Sequence, residues 1–327
     1  MMVYRQVGVT TEIIDRPGAL AGKSAMVSQA VKIRTPEKGR SMTKSYILTM
    51  TCADSAGIVA AVSTQLNNGG ANIVEAQQFD DQYAKRFFMR IVFTIDEAEY
   101  SSGRVQALLQ NPIKEFGIEW RLRPKEQLKK VLILVSKLDH CLGDLLYRCR
   151  IGELPMEVVG VVSNHPREAL NITLLADIPY HHLPITPSTK PQQEALIKNI
   201  ITESGAELTI LARYMQILSD DLTAFLSGRC INIHHSSLPG FKGAKPYHQA
   251  FERGVKLIGA TAHFVTADLD EGPIIEQDVE HISHANSPED LVRKGRDIER
   301  RVLAKAVTYA LEERVFINGS KTVVFRD

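Results

Sequence analysis

Val131-Leu132-Ile133-Leu134-Val135 is an unbroken run of branched aliphatic residues. Successive side chains of a strand point to opposite faces, so a strand with one wet face alternates apolar and polar residues. A run without polar partners marks a strand covered on both faces, as in a parallel sheet between helices. The chain beyond it alternates in kind. Leu142–Cys149 reads as helix, Val158–Val162 as strand, Pro166–Leu175 as mostly helix and Tyr180–Leu183 as a short strand. Gln192–Glu203 reads as helix, Leu208–Leu211 as strand, Ser219–Leu226 as helix and Ile231–His234 as strand. This succession predicts an α/β domain over 130–320, a doubly wound and mostly parallel sheet with helices on both faces. Reactive groups in such sheets gather beyond the carboxyl ends of the strands. The residues following Leu211 and Ile233 are therefore the place to look for chemistry.

Upstream the pattern is different. Tyr46–Met50 reads as strand, Cys52–Gly57 as loop, and Ile58, Val62 and Leu66 share one helical face that Gly69-Gly70 ends. Ile73–Gln77 and Arg86–Ile95 read as strands, with Phe87, Met89, Ile91, Phe93 and Ile95 alternating to one side. Arg104–Phe116 follows as helix and Ile118–Leu122 as strand. The order β-α-β-β-α-β predicts a ferredoxin-like domain over 43–123. The Asp54-x-x-Gly57-Ile58 turn and the Asn72-Ile73 strand start are similar to the pattern of the ACT family. That resemblance implies pairing into a homo-oligomer through a sheet edge or helical face, and an amino-acid effector near Asp54, Gly57 and Asn72. With or without a ligand, Asp54 is expected to cap the helix and Gly57 to relieve backbone strain. The charged stretch containing Pro124 reads as a linker over 124–129. Residues 1–42 carry mixed charges without apolar periodicity, and read either as a loosely ordered extension or as a start assigned too early, with Met42 the true start.

A length of 327 residues, at roughly 150 per domain, agrees with two domains. The 39 Lys and Arg nearly cancel the 38 Asp and Glu, so no overall basic field exists to hold nucleic acid or an anionic membrane. No apolar run approaches the roughly 20 residues that cross a bilayer. The 4 cysteines (Cys52, Cys141, Cys149, Cys230) form no C-x-x-C pair, which points to a reducing cytoplasm rather than a disulfide framework.

Asn232 and His234 lie two apart in a strand and share a face, while Ile231 and Ile233 point into the core. Downstream, a strand over Gly259–Thr266 contains His263, and the turn Ala267-Asp268-Leu269-Asp270-Glu271-Gly272-Pro273 gathers acids. An amide, an imidazole and a carboxylate suffice for acyl transfer without a covalent nucleophile. The first two stabilise an oxyanion, and the carboxylate takes a proton from the attacking group and keeps the imidazole charged. Singly, each has a plainer reading: Asn232 and His234 as satisfied buried groups, Asp270 as a turn residue.

The ordered strings Leu211-x-x-Tyr214-Met215-x-Ile217-Leu218-Ser219, Asn232-Ile233-His234-x-Ser236-x-Leu238-Pro239, Gly259-x-Thr261-x-His263-Phe264-Val265 and Asp270-x-Gly272-Pro273-Ile274-Ile275 resemble the formyltransferase fold that uses 10-formyltetrahydrofolate. An ACT domain in front of it resembles the formyltetrahydrofolate deformylases, which hydrolyse that substrate to tetrahydrofolate and formate. The resemblance implies Asn232, His234 and Asp270 as the catalytic trio. It implies Tyr214, Met215, Gln216, Ile217, Leu218, Thr266 and Asp268 around the pterin, partly through backbone groups, with His263 supporting from the neighbouring strand. The folate is then the substrate, and neither cofactor nor metal is expected. Activity is expected to fall at acid pH as the carboxylate protonates.

Other chemistries are weaker. His181-His182 and His234-His235 are adjacent strand residues, which point to opposite faces and do not easily share an ion. Cys141 at a helix start is a conceivable thiolate nucleophile, though a small buried residue is the simpler role. In the glycinamide ribonucleotide branch of the fold, a Gly- and Ser-rich loop cradles the substrate phosphate. Here the loop is Val135-Ser136-Lys137-Leu138-Asp139-His140-Cys141, which favours water as acceptor, with Lys137, His140 and Cys141 closing the acceptor side. Transfer to a small amine such as glycinamide ribonucleotide, and an amino-acid-sensing binding protein without activity, are the competing readings.

Overall fold

A computed structural model describes residues 43–96, 102–171, 174–175, 177–238 and 246–326; the expected extension over 1–42 and Pro239 lie outside them. The first domain runs β1 (Thr43–Ala53), α1 (Ile58–Asn68), β2 (Asn72–Asp81), β3 (Arg86–Asp96), α2 (Ser102–Phe116) and β4 (Glu119–Pro124). Its four-stranded sheet has the order β2-β3-β1-β4, antiparallel throughout, which is the ferredoxin-like layout. The apolar stripe Ile58, Val62 and Leu66 of α1 packs with Met50, Phe87, Met89 and Phe93 of the sheet. Each such side chain contributes about 1.5–3 kcal/mol on burial.

Two expectations change here. Asp54 does not cap α1: the cap position is Gly57, at φ 96°, without a side-chain hydrogen bond. Asp54 is exposed, and its backbone N–H instead donates to the Lys85 carbonyl at 3.1 Å. The chain enters α1 through a left-handed residue, a geometry glycine accepts, and this leaves Asp54 outside the capping position. The strand β3 is covered on both faces rather than one, since Phe88, Arg90 and Val92 are as buried as Phe87 and Met89. The second face is covered by a C-terminal hairpin, β12 (Val315–Asn318) and β13 (Lys321–Val324). Phe316 meets Phe88 edge-on at 5.8 Å between centroids, and Arg90 Nε donates to the Glu312 carbonyl at 3.0 Å.

The second domain contains β5 (Lys129–Val135), α3 (His140–Arg150), β6 (Met156–Ser163), β7 (Tyr180–His182), α4 (Lys190–Ser204) and β8 (Leu208–Leu211). It continues with α5 (Asp220–Phe225), β9 (Cys230–His234), α6 (Pro246–Glu252), β10 (Leu257–Phe264), β11 (Ile274–His281) and α7 (Pro288–Leu311). The seven-stranded sheet has the order β11-β10-β9-β8-β5-β6-β7; β9 to β7 run parallel and β10 and β11 antiparallel. Val131, Ile133 and Val135 of β5 face one core, Leu132 and Leu134 the other, as a doubly covered strand requires.

The helix expected over Pro166–Leu175 is reduced to a single 3-10 turn, Arg167–Ala169. The Asn171 N–H, which would continue a helix by donating to residue 167, donates to the Asp139 carboxylate at 2.6 Å, and Leu170 turns extended. Strand order reverses between β5 and β8, the switch point where an α/β sheet opens a crevice. Among the described residues no helix is long and apolar enough to cross a membrane.

Candidate active site

A cavity of about 220 Å³ opens beyond the ends of β8 and β9, against β10 and the loop that follows it. It is lined by Tyr214, Met215, Gln216, Ile217 and Leu218, by Asn232 and His234, by His263, and by Thr266, Asp268 and Asp270. All the residues expected to be catalytic or to hold the folate therefore meet at one place. The candidate effector residues Asp54, Gly57 and Asn72 are on the other domain and exposed. Within the cavity the side chains differ in use. Tyr214 belongs to the core, its hydroxyl accepting from Gln193 at 2.7 Å. Met215, Ile217 and Leu269 are more than half exposed, an apolar rim.

The strand β9 turns Asn232 and His234 toward the cavity, and β10 pairs antiparallel beside it with His263 opposite Asn232. The Phe264 carbonyl can only accept, so His263 Nδ1 donates to it at 2.9 Å. Its Nε2 faces the site, 3.2 Å from Asn232 Nδ2. Asp270 Oδ2 lies 3.2 Å from His234 Nδ1, and Oδ1 lies 3.7 Å from His263 Nε2. Asp270 adopts a left-handed φ of 57°. Two residues on, a Cβ at Gly272 would fall 1.7 Å from the Phe264 carbonyl oxygen, so only glycine permits this approach. Burial alone would raise the Asp270 carboxyl, but hydrogen bonds from His234 and His263 and their charges hold it well below the usual carboxylate range. The opposite ring nitrogen, His234 Nε2, is buried without a hydrogen-bond partner.

Behind the trio lies a second polar cluster. Glu299 of α7 is buried; its carboxylate pairs with His140 Nε2 at 2.7 Å, accepts from Tyr247 Oη at 2.7 Å and lies 3.4 Å from Arg213 Nε. Burial works to raise its pKa, but the His140 hydrogen bond and the Arg213 charge outweigh it and leave it lowered. His235 follows the end of β9, and its ring lies 5.0 Å from that of His234 between centroids. The expectation of opposite faces fails at this pair because the strand stops at His234. Burial, then the charges of Arg213 and His234, push the His235 pKa down to about 4.

His140, Cys141 and Glu299 place ligand-type atoms within 4.8 Å of one another. They do not fit a divalent cation. Both Glu299 oxygens are already hydrogen-bonded, the guanidinium stands beside them, and burial followed by the Glu299 charge pushes the Cys141 thiol well up. The same shift removes Cys141 as a thiolate nucleophile. Lys137 is exposed, whereas His140 faces inward, onto Glu299. Arg213, Tyr247 and Glu299 escaped the sequence reading. The available signals were a charge within the Leu211–Leu218 string and an acid on the apolar face of α7 between Ile298 and Val302.

The fold and this cavity define a formyl transferase-type domain, and residues 129–307 match the family model described as formyl transferase. A curated formyltetrahydrofolate deformylase from Corynebacterium sp. is 50% identical over 281 residues, 86% of this chain and 98% of the relative. The crystal structure of a formyltetrahydrofolate deformylase from Burkholderia mallei superposes with a TM-score of 0.81 at 51% identity, covering 86% of this chain and 100% of that one. A glycinamide ribonucleotide transformylase from Symbiobacterium toebii reaches a TM-score of 0.56 at 30% identity and covers 61% of this chain and 95% of its own. The chain belongs to the formyltetrahydrofolate deformylase family.

Proposed function

We propose that the chain hydrolyses 10-formyltetrahydrofolate to tetrahydrofolate and formate in this cavity, with Asn232, His234 and Asp270 as the catalytic groups. The observation that carries the reading is the ionised Asp270 beside His234 Nδ1, with His234 Nε2 buried and unpartnered at the cavity. Asp270 accepts a proton as water attacks the formyl carbon. His234 Nε2 and Asn232 donate to the developing oxyanion, and the formamide nitrogen takes a proton as it leaves. The apolar rim of Met215, Ile217 and Leu269 suits a flat pterin, with polar contacts from Gln216, Thr266, Asp268 and backbone groups of the two loops. The Glu299 cluster fills the acceptor side with buried side chains, which supports water over a phosphorylated amine.

The reaction needs no metal or cofactor, since the carboxylate activates water directly. The ferredoxin-like domain supports an ACT-type homo-oligomer whose amino-acid effector binds near Asp54, Gly57 and Asn72. With its sheet face already covered within the chain, the edge strand β2 and the outer helical face are the surfaces for pairing. A cytoplasmic location follows from the substrate class and the unpaired cysteines.

The deciding experiment incubates the pure protein with 10-formyltetrahydrofolate, with and without glycinamide ribonucleotide. Equal amounts of formate and tetrahydrofolate without amine are expected. Negligible formate alone with rapid transfer to the amine would replace the hydrolase by a transferase.

A further inference from the structure

The mechanism above leaves the Arg213 guanidinium without a task. Arg213 lines the same cavity as the trio, yet its side chain is only 8% exposed. Its Nη1 is buried with no hydrogen-bond partner. Nε approaches Glu299 Oε2 at 3.4 Å without hydrogen-bond geometry, so it too is unsatisfied. A buried donor left unmade costs about 1–3 kcal/mol, and more when charged. The backbone adds to the cost, because Arg213 holds a φ of 65° that an L-configured residue with a Cβ disfavours. That conformation is pinned by the Ser136 N–H donating to the Arg213 carbonyl at 3.2 Å. Strain and unsatisfied donors at the same residue, on the wall of a catalytic cavity, are what a site for an anion looks like before the anion arrives.

Hydrolysis creates an anion that formyl transfer does not. Water adds through its oxygen to the formyl carbon and gives up one proton. The carbon–nitrogen bond then breaks, its electron pair goes to nitrogen, and nitrogen takes a proton. The formic acid so released loses its remaining proton at neutral pH, leaving formate. Transfer to an amine ends in a neutral formamide with a single oxygen, whereas hydrolysis places two oxygens on the carbon and ends in a carboxylate. Asn232 and His234 attend to one oxygen. The other, from water, lies beside Asp270, which regains its negative charge once its proton has passed to the leaving nitrogen and then repels the product carboxylate.

We propose that Arg213 is a further catalytic residue of this hydrolysis, its Nη1 donating to the water-derived oxygen and forming with His234 Nε2 a binding site for formate. Glu299, held by His140 and Tyr247, orients the guanidinium and balances its charge while the site is empty. The inference rests on the hydrolytic reading above.

The test is formate itself. Carbon-13-labelled sodium formate is titrated into the intact protein without folate and followed by broadening of its NMR line, and sodium formate is tested as an inhibitor of formate-forming turnover. Wild type is expected to bind formate. Arg213→Gln should weaken both binding and inhibition by roughly 10- to 100-fold, and Arg213→Lys by less, because a charge remains. The Gln variant should also lose kcat while KM for the folate changes little. Formate that does not bind wild type, or that binds and inhibits the Gln variant equally well, overturns the role. If the Gln variant fails to fold, a Lys variant indistinguishable from wild type in formate binding and kcat overturns it, and one weakened in both supports it. Turnover without Arg213-dependent formate binding removes this inference alone; formate binding without turnover removes the hydrolytic reading and the catalytic role together.

Discussion

Asp270 sits between two imidazoles on a left-handed backbone turn, so its protonation is set by its neighbours and not by its type. Its folded pKa is depressed, and a depressed carboxyl stays ionised until pH falls through that lower value. The acid loss of activity expected from the sequence is therefore displaced below the ordinary range near about 4. In His263→Gln one donor to the carboxylate is lost and burial is less opposed. Its acid limb should move up in pH relative to wild type, read from pH profiles of kcat; an unmoved limb would remove His263 from the control of Asp270. Alanine at Asn232, His234 or Asp270 should leave folding intact and lower formate release on the order of 100- to 1000-fold. His235 gives a stability prediction. Its pKa is about 4 in the fold against 6.5 for the free group, so the unfolded chain binds the extra proton between those values. Stability should decline as pH falls from about 6.5 to 4, by up to roughly 3 kcal/mol from this group. His235→Gln should flatten part of that decline in urea unfolding.

The helix α7 links the cluster behind the site to the rest of the sheet. Its Ser287–Asp290 capping box fixes its start, and its apolar face carries Glu299 inward among Ile298, Val302 and Leu303. Gly295, one turn earlier, lets Tyr247 lie against the helix. A Cβ there would fall 2.1 Å from Tyr247 Cζ and 2.4 Å from its oxygen. Alanine for glycine ordinarily strengthens a helix by about 1 kcal/mol. Gly295→Ala should nonetheless destabilise by about 1–3 kcal/mol, because Tyr247 is buried and tied to Glu299 and has nowhere to go. A urea midpoint at or above wild type would contradict this. The donor set around Glu299 also predicts that dialysis against a strong chelator leaves turnover unchanged; loss restored by zinc or iron would recast the cluster as ligands.

Across the whole molecule, Arg90 is the joint. It is 2% exposed, bonded to Glu75 within its own sheet and to the Glu312 carbonyl just past the end of α7. Phe88, Phe316 and Phe325 complete an apolar contact between the first domain and the C-terminal hairpin. A chain begun at Lys129 would strip this cover from the hairpin, so it should aggregate or melt early rather than behave as a free catalytic domain. Arg90→Leu in the intact chain is the cleaner probe. It should split the thermal unfolding into two transitions seen by calorimetry, because the domains lose their buried charged joint. A single unshifted transition would show that the aromatic contact suffices.

The sequence by itself determined the elements and their order, because both depend on local periodicity. The run Val131–Val135, the stripe Ile58, Val62 and Leu66, and the turns at Gly70 and Gly272 are readable from neighbours alone. It also placed Asn232 and His234 on one face through the two-residue repeat of a strand, and Asp270 and His263 on neighbouring segments through motif order. What only the tertiary structure decided involves residues far apart in the chain. Asp139 captures the Asn171 N–H and ends a helix that local pattern favours. The hairpin at 315–324 buries a sheet face that strand alternation left open. Glu299, Arg213, His140 and Tyr247 meet because α7, the segment after β8, α3 and α6 converge. A buried charge is tolerated only where such distant partners arrive, and no local pattern records where they come from.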